Sequence, residues 1–145
     1  MGAVYYGGES SLLNAQAETF YIKKGIDESN TATETMKPVT FMGASQDDLR
    51  AFPAEARHAA GFDLEHVQRG EHPADFKPMP SVGAGAFEIR VRTDDGAFRV
   101  LYVAKFAESV YVLHAFEKKS QKTLKQDLET GRRRYAAMQR RRGAG

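Results

Sequence analysis

Basic side chains recur in three neighbouring β-rich segments of this 145-residue sequence, at spacings that suit phosphate binding. Arginines alternate with apolar residues in EIRVR (residues 88–92), and one arginine lies among the apolar residues of AFRVLY (residues 97–102). The end of VYVLHAFEKKSQKT (residues 110–123) contains three lysines. The arginine guanidinium is planar and donates two parallel hydrogen bonds to a phosphate. The pattern therefore makes one face of a sheet a candidate anion-binding site.

The first hairpin is predicted from the dipeptide Asp95-Gly96, which is typical of a two-residue turn. Side chains alternate between the faces of a strand, so this turn decides which residues share a face. It places Arg92 opposite Arg99 and Arg90 opposite Leu101. The other face is apolar and is predicted to be core: Phe87, Ile89, Val91, Val100 and Tyr102.

A second two-residue turn is predicted at Ala107-Glu108, and it places Arg99 opposite Phe116 and Leu101 opposite His114. Strict alternation along the last strand then puts Val112 on the same face as His114. Lys118 and Lys119 follow where that strand ends. One face of a three-stranded sheet is expected to carry the charged residues Glu88, Arg90, Arg92, Arg99 and His114.

Two arginines that lie opposite one another repel each other, and this leaves two interpretations open. Either Glu88 and Glu117 neutralise them, as on an ordinary polar sheet face, or the face holds an anion. His114 is open in the same way. Histidine suits proton transfer near neutral pH, but a lone histidine near a strand end is more often a packing or surface residue.

Composition narrows the classes of function. The sequence has no cysteine, which excludes disulfides, thiol catalysis and thiolate metal sites. Its four histidines lack the spacing of metal ligands, so neither a metal nor another cofactor is expected. No apolar run approaches the roughly 20 residues that span a bilayer, and MGAVYYGGESSLL lacks the features of a secretory signal. A cytoplasmic location without a membrane partner is therefore expected.

Charge is distributed unevenly along the chain. Residues 1–115 carry 11 basic and 16 acidic side chains, whereas residues 116–145 carry 10 basic and 3 acidic ones. A basic end on an acidic body predicts an anionic partner, and nucleic acid is the commonest. For the terminal RRRGAG alone, a solvated tail is the alternative.

Residues 1–35 are predicted to be an extension, loop-like or partly ordered, because GGESS and DESNTATET are small and polar. The extension has a net charge of −3. It is either passive or an arm that folds over the basic C-terminal region and masks it. The main domain is placed at residues 36–145.

Within this domain the order of elements is predicted as β-α-α-β-β-β-α. KPVTFMG is a first strand with Pro38 at an edge, and SQDDLRAF is a helix with Ser45 as its N-cap. The second helix has Pro53 at its first position and Gly70 as its stop. EHPADFKPMPSVGAG is a loop. Three strands follow, and an amphipathic helix runs from Thr123 onward.

This order, with AFEIRVR, GAFRVLYVAKF and VYVLHAFEKKSQKT, resembles the RelE/ParE superfamily of toxin–antitoxin toxins, and within it the phage-derived HigB-like branch. The resemblance covers about Lys37 to Met138, and HAFEKKSQKT is its most specific part. It implies a RelE-like α+β fold, with a four-stranded, mainly antiparallel sheet, a helical hairpin and a C-terminal helix. It also implies the toxin of a type II system that cleaves mRNA on the ribosome and is neutralised by a helix-turn-helix antitoxin.

The resemblance implies that the active residues of the family correspond to Arg90, Arg99 and the lysines after the last strand. RNA supplies its own nucleophile, the 2′-hydroxyl, so the reaction needs no metal. His114 or Glu88 is the expected base, while Tyr135 matches no catalytic tyrosine. The expected catalytic residues are Arg90, Arg99, His114, Lys118, Lys119 and Glu88, and the expected RNA-binding residues are Lys77, Arg92, Lys122 and Lys125.

Two other functions fit the same sequence. One is a ParE-like inhibitor of DNA gyrase, which shares the fold but needs no convergent phosphate clamp. The other is a phage-derived nucleic-acid-binding protein without catalysis.

Overall fold

The computed structural model describes residues 36–144. The predicted extension over residues 1–35 and its masking of the basic end lie outside the described residues. The helices and strands that follow are β1 (Val39–Phe41), α1 (Ser45–Arg50), α2 (Ala54–Gln68), β2 (Phe76–Pro78), β3 (Ala86–Thr93), β4 (Gly96–Val103), β5 (Val110–Glu117) and α3 (Gln121–Ala144).

The sheet has five strands in the order β1-β5-β4-β3-β2, so the α+β class is as predicted but the strand count of four is wrong. β1 runs parallel to β5, and the other pairs are antiparallel. The additional strand, β2, lies in a segment predicted to be a loop because of its prolines. Pro78 fits there because β2 is an edge strand, where a missing backbone donor is tolerated.

The β3–β4 hairpin turns at Asp94 and Asp95, one residue earlier than predicted, so Thr93 pairs with Gly96. The backbone N–H of Asp95 donates to Thr93 Oγ1 at 3.1 Å, and Gly96 adopts a φ of 140° where the turn closes. Relative to the prediction, the register has slipped by two residues. A slip of two preserves the faces, so the predicted division into apolar and charged sides holds.

The β4–β5 pairing agrees with prediction near the charged residues, where Arg99 faces Phe116 and Leu101 faces His114. The register then shifts, because Tyr102 pairs with Val112 and Leu113 is the extra residue of a β-bulge. The predicted alternation along β5 is therefore wrong. Val112 and His114 lie on opposite faces.

Each face of the sheet has its own core. On the α2 side, Leu64 and Val67 of the helix pack with sheet residues that include the predicted Ile89, Val91, Val100 and Tyr102. On the other side, α3 covers a second cluster. That cluster comprises Met42, Val82, Ala86, Leu101, Val103, Tyr111, Leu113, Phe116, Tyr135 and Met138.

The helix ends agree with the sequence patterns only in part. Ser45 is not an N-cap: it lies inside α1, fully buried, and its hydroxyl donates to the Val112 carbonyl at 3.1 Å. Pro53 occupies the N-cap of α2, one residue before the predicted position. Gly70 ends α2 as predicted, with a φ of 83° that a glycine adopts without strain.

The helix α3 lies close against the sheet at Gly131. A Cβ atom on Gly131 would lie 2.7 Å from Leu101 Cδ1, so only glycine permits this approach. Further along, the Tyr135 hydroxyl donates to the Ala84 carbonyl at 2.7 Å, and Met138 is fully buried. No helix among residues 36–144 has the length and apolar character needed to cross a membrane.

Candidate active site

Three charged residues of β3 and β4 converge on the α3 side of the sheet. Arg90 and Arg99 are direct partners across the ladder, and Glu88 lies two pairs before them along β3, on the same face. Glu88 Oε1 is 3.5 Å from Arg99 Nε and 3.8 Å from Arg90 Nε. The side chains of Glu88 and Arg99 are only 6% and 8% exposed, whereas that of Arg90 is 38% exposed.

Burial governs the electrostatics of this group. It raises the pKa of the Glu88 carboxyl above its ordinary value, because the carboxylate loses hydration. Burial likewise lowers the pKa of Arg99, although the Glu88 charge opposes that change. Four cations oppose the rise at Glu88: Arg99, Arg90, Lys77 and Lys118.

The two acids proposed to neutralise the arginines lie on different sides of the sheet. Glu88 contacts both arginines, whereas Glu117 is paired with Phe98 in the ladder and its carboxylate is 3.8 Å from Lys119 Nζ. Glu88, together with the charge of Asp75 that also acts on Arg99, therefore faces four cations, and the site has an excess of positive charge. Such a site can bind a phosphate, and its carboxylate can accept a proton.

The two lysines after β5 have different surroundings. The backbone N–H of Lys118 donates to the Ala97 carbonyl at 2.8 Å, and its charge acts on Glu88. Lys118 is half-buried, whereas the Lys119 side chain is 68% exposed and paired with Glu117. The structure thus groups Lys118 with the arginines and separates Lys119 from them.

The expected RNA-binding residues lie on β2, β3 and α3. Lys77 is exposed on β2 and is the ladder partner of Glu88. Arg92 is exposed on β3, two pairs beyond Arg90 towards the turn. Lys122 and Lys125 are exposed in the first turns of α3.

His114 belongs to a separate ionic cluster that joins α1, β5 and α3. Its Nε2 is 2.7 Å from Asp127 Oδ1, and its Nδ1 is 3.5 Å from Asp48 Oδ2 and 3.3 Å from Arg134 Nη1. Arg134 Nη1 also donates to the Leu113 carbonyl at 3.1 Å. Both ring nitrogens thus face partners other than Glu88 and Arg99, and the ring stacks on Phe116 at 5.2 Å.

Sequence reasoning missed the partners of His114. Asp48 lies within the predicted helix SQDDLRAF, where nothing local marks it as a partner of a distant histidine, and nothing local marks Asp127 or Arg134 among the charges of α3. The β-bulge contributes as well, because it turns His114 and Leu113 to the same side. A bulge in the middle of an apolar strand leaves no signal in a single sequence.

The C-terminal arginines are not all part of a free tail. Arg142 Nε donates to Glu108 Oε2 at 2.6 Å, and its guanidinium lies 3.4 Å from the centre of the Phe106 ring. The hydrogen bond from Arg142 lowers the pKa of Glu108 to about 2. Tyr111 also donates to Glu108, so this cluster fastens the last turns of α3 to the β4–β5 loop.

The described residues contain no cluster of three or more histidine, aspartate or glutamate side chains placed to hold a metal ion.

Comparison with known proteins gives one family match. The family model described as "Phage derived protein Gp49-like (DUF891)" matches residues 47–136. No curated protein matches the sequence significantly. One solved structure that is similar is "The crystal structure of the toxin-antitoxin complex RelBE2" from Mycobacterium tuberculosis. It is 23% identical and has a TM-score of 0.42, and the match covers 59% of this chain and 95% of the other.

Proposed function

Because the chain belongs to the phage-derived Gp49-like family, we propose that it is the toxin of a type II toxin–antitoxin system, in the HigB-like branch of the RelE superfamily. We propose further that it is an mRNA endonuclease that acts on the ribosome. The observation that supports this activity is the Arg90–Arg99 pair around the buried carboxylate of Glu88. A helix-turn-helix antitoxin is the proposed partner.

The proposed reaction uses the 2′-hydroxyl of the substrate as nucleophile. Glu88 accepts the 2′-hydroxyl proton while the 2′-oxygen bonds to phosphorus. The bond from phosphorus to the 5′-oxygen breaks, and Lys118 returns a proton to that oxygen. The products are a 2′,3′-cyclic phosphate and a 5′-hydroxyl, so atoms and charges balance without an external reagent.

Each residue has a role that matches its environment in this scheme. Arg99 and Arg90 bind the non-bridging oxygens and stabilise the charge that develops on the phosphorane. Burial keeps the Glu88 pKa raised, which makes its carboxylate a better proton acceptor than a solvated glutamate. His114 positions α3, and Lys119 takes no part.

The decisive experiment is translation in vitro followed by primer extension on the message. The full chain should halt translation and leave discrete cleavage ends with a 5′-hydroxyl, while Arg99→Lys, with its folding verified, should not. Intact mRNA together with relaxed DNA in a gyrase supercoiling assay would instead identify a gyrase inhibitor. Intact mRNA together with normal gyrase activity would support the third function, a nucleic-acid-binding protein without catalysis.

A further inference from the structure

The outer face of α3 carries a row of basic residues that includes the expected RNA-binding residues Lys122 and Lys125 and continues well beyond them. With 3.6 residues per turn, five exposed basic side chains fall within about a third of the helix circumference. These residues, here called the basic stripe, are Lys122, Lys125, Arg132, Arg133 and Arg140. The stripe extends along about 27 Å of the helix, at about 1.5 Å per residue.

The stripe carries far more positive than negative charge. Among residues 36–144, none of its five members forms an ion pair, and Arg133 only donates a hydrogen bond to Thr130 Oγ1 at 3.4 Å. Glu129 is the single acid on this face. Like charges at helical spacing repel one another, so the stripe lowers the stability of the free helix. An anionic partner that lies along α3 would remove this repulsion.

The helix itself is well fixed, so the stripe is a rigid surface. Arg134 and Asp127 hold its middle and first turns through His114, and Arg142 holds its last turns through Glu108. Tyr135 and Met138 anchor the opposite side of the helix in the core. The charged groups therefore lie along a fixed line. When a partner binds, only their side chains lose conformational freedom, because the helix backbone is already held in place.

We propose that the basic stripe binds the phosphate backbone of double-helical, folded RNA. No aromatic side chain is exposed along α3, whereas proteins that hold single strands use exposed aromatic rings on which bases stack. Lysines and arginines without such rings suit a sequence-independent contact with phosphates. The choice of RNA over DNA rests on the proposed function. The stripe begins at Lys122, only four residues after Lys118, which belongs to the proposed ribonuclease site.

A binding assay with an RNA duplex that cannot be cleaved tests this surface apart from catalysis. The probe is a fluorescent 2′-O-methyl RNA duplex, and its affinity for the full chain is measured over a series of salt concentrations. The stripe variant replaces three arginines by glutamine, which is a good helix former. It carries Arg132→Gln, Arg133→Gln and Arg140→Gln. The control loses three basic residues elsewhere and carries Arg50→Gln, Arg57→Gln and Lys105→Gln.

In the stripe variant, the slope of log affinity against log salt should fall in magnitude by about 2.7, or about 0.9 per lost phosphate contact. In the control, which has the same net charge, the slope should change by less than one. Equal losses in both variants, or an unchanged slope in the stripe variant, would overturn the proposal. Equal binding of a DNA duplex would overturn the assignment to RNA.

Cleavage and duplex binding fail independently in these experiments. Arg99→Lys should bind the duplex as tightly as the parent, because Arg99 is buried on β4 and does not belong to the stripe. If this variant and the parent both leave mRNA intact while the stripe variant loses duplex binding, the proposed nuclease is wrong and the binding surface stands.

Discussion

Arg90 lies directly opposite Arg99 in the β3–β4 ladder, and the buried carboxylate of Glu88 contacts both guanidinium groups. Like charges at directly opposed positions are unfavourable in a sheet. The carboxylates of Glu88 and Asp75 do not balance two arginines together with Lys77 and Lys118. A bound phosphate would complete the charge balance. The pair is therefore the part of the molecule on which the proposed activity depends most.

Replacing Arg99 by lysine keeps the charge but removes the planar fork. We expect Arg99→Lys to reduce mRNA cleavage by about 100-fold to 1,000-fold, the range typical for loss of one donor to a developing oxyanion. Arg92→Lys is the matched control, since Arg92 is exposed on the same face, and its effect should stay below tenfold. Cleavage ends in primer extension measure both, and an active Arg99→Lys protein would exclude Arg99 from the clamp.

Removing the Glu88 carboxylate should strongly reduce cleavage and also change the pH dependence of stability. Because the folded pKa is raised above 4.5, the folded protein binds this proton more tightly than the unfolded chain does. The Glu88 contribution to stability therefore falls as pH rises between the two pKa values and is constant above them.

Glu88→Gln lacks this contribution, so its free energy of unfolding should rise relative to that of the parent as the pH increases from about 4.5 towards neutrality. Urea denaturation across this range provides the measurement. Cleavage should fall by about 100-fold to 10,000-fold, as expected for loss of a general base. A difference in stability that does not vary with pH would contradict the burial argument.

The contact between His114 and Asp127 should appear as a coupling energy in folding. We expect His114→Gln and Asp127→Asn each to lower the free energy of unfolding by about 1–2 kcal/mol, because each leaves its partner unsatisfied. In the double variant, the losses should not add, and a coupling of at least about 0.5 kcal/mol is expected. Cleavage by the folded His114→Gln protein should stay within tenfold of the parent, and a much larger loss would make His114 the base.

Lys118 and Lys119 provide a comparison between adjacent residues of the same type. Lys118→Gln should reduce cleavage by at least tenfold and should raise the Glu88 pKa further, because the Lys118 charge opposes its rise. Lys119→Gln should leave cleavage unchanged, since its partner is Glu117. The pH–rate profile of each variant reports the Glu88 titration. Equal effects of the two changes would refute the assignment of Lys118 alone.

Two glycines of α3 should respond in opposite ways to alanine. Alanine ordinarily stabilises a helix by about 0.5–1 kcal/mol relative to glycine. At Gly143, where nothing lies within 4 Å, Gly143→Ala should be neutral or slightly stabilising. Gly131→Ala should destabilise by about 1–3 kcal/mol, because its Cβ would collide with Leu101. Thermal denaturation of the two variants compares them, and a stabilised Gly131→Ala would mean that α3 shifts freely on the sheet.

The sequence was sufficient for the features that depend on short-range patterns. Alternation along β3 and β4 correctly placed Ile89 and Val100 on one face of the sheet and Glu88 and Arg99 on the other. The predicted register was wrong by two residues, and a shift of two leaves each side chain on its predicted face. The end of α2 was predictable from Gly70, because glycine readily adopts the positive φ with which helices commonly end. These features need no knowledge of distant parts of the chain.

The rest depended on contacts between distant residues. The strand pairing of Phe76 and Lys77 exists only because β3 offers a free edge, and local composition favoured a loop. The hydroxyl of Ser45 is drawn to the carbonyl of Val112, 67 positions away, rather than to its own helix. The bulge at Leu113 and the partners of His114 likewise follow from how α1 and α3 pack on the sheet.

The parallel pairing of β1 with β5 fixes an order of events during synthesis of the chain. Val39 pairs with Val110, so the first strand has no partner until the last strand has been made. Such a long-range closure forms slowly and late. The hairpin that holds Arg90 and Arg99 can form earlier, whereas α3 and its row of arginines emerge last. An incomplete nascent chain therefore has neither a closed sheet nor the helix that supports the charged face.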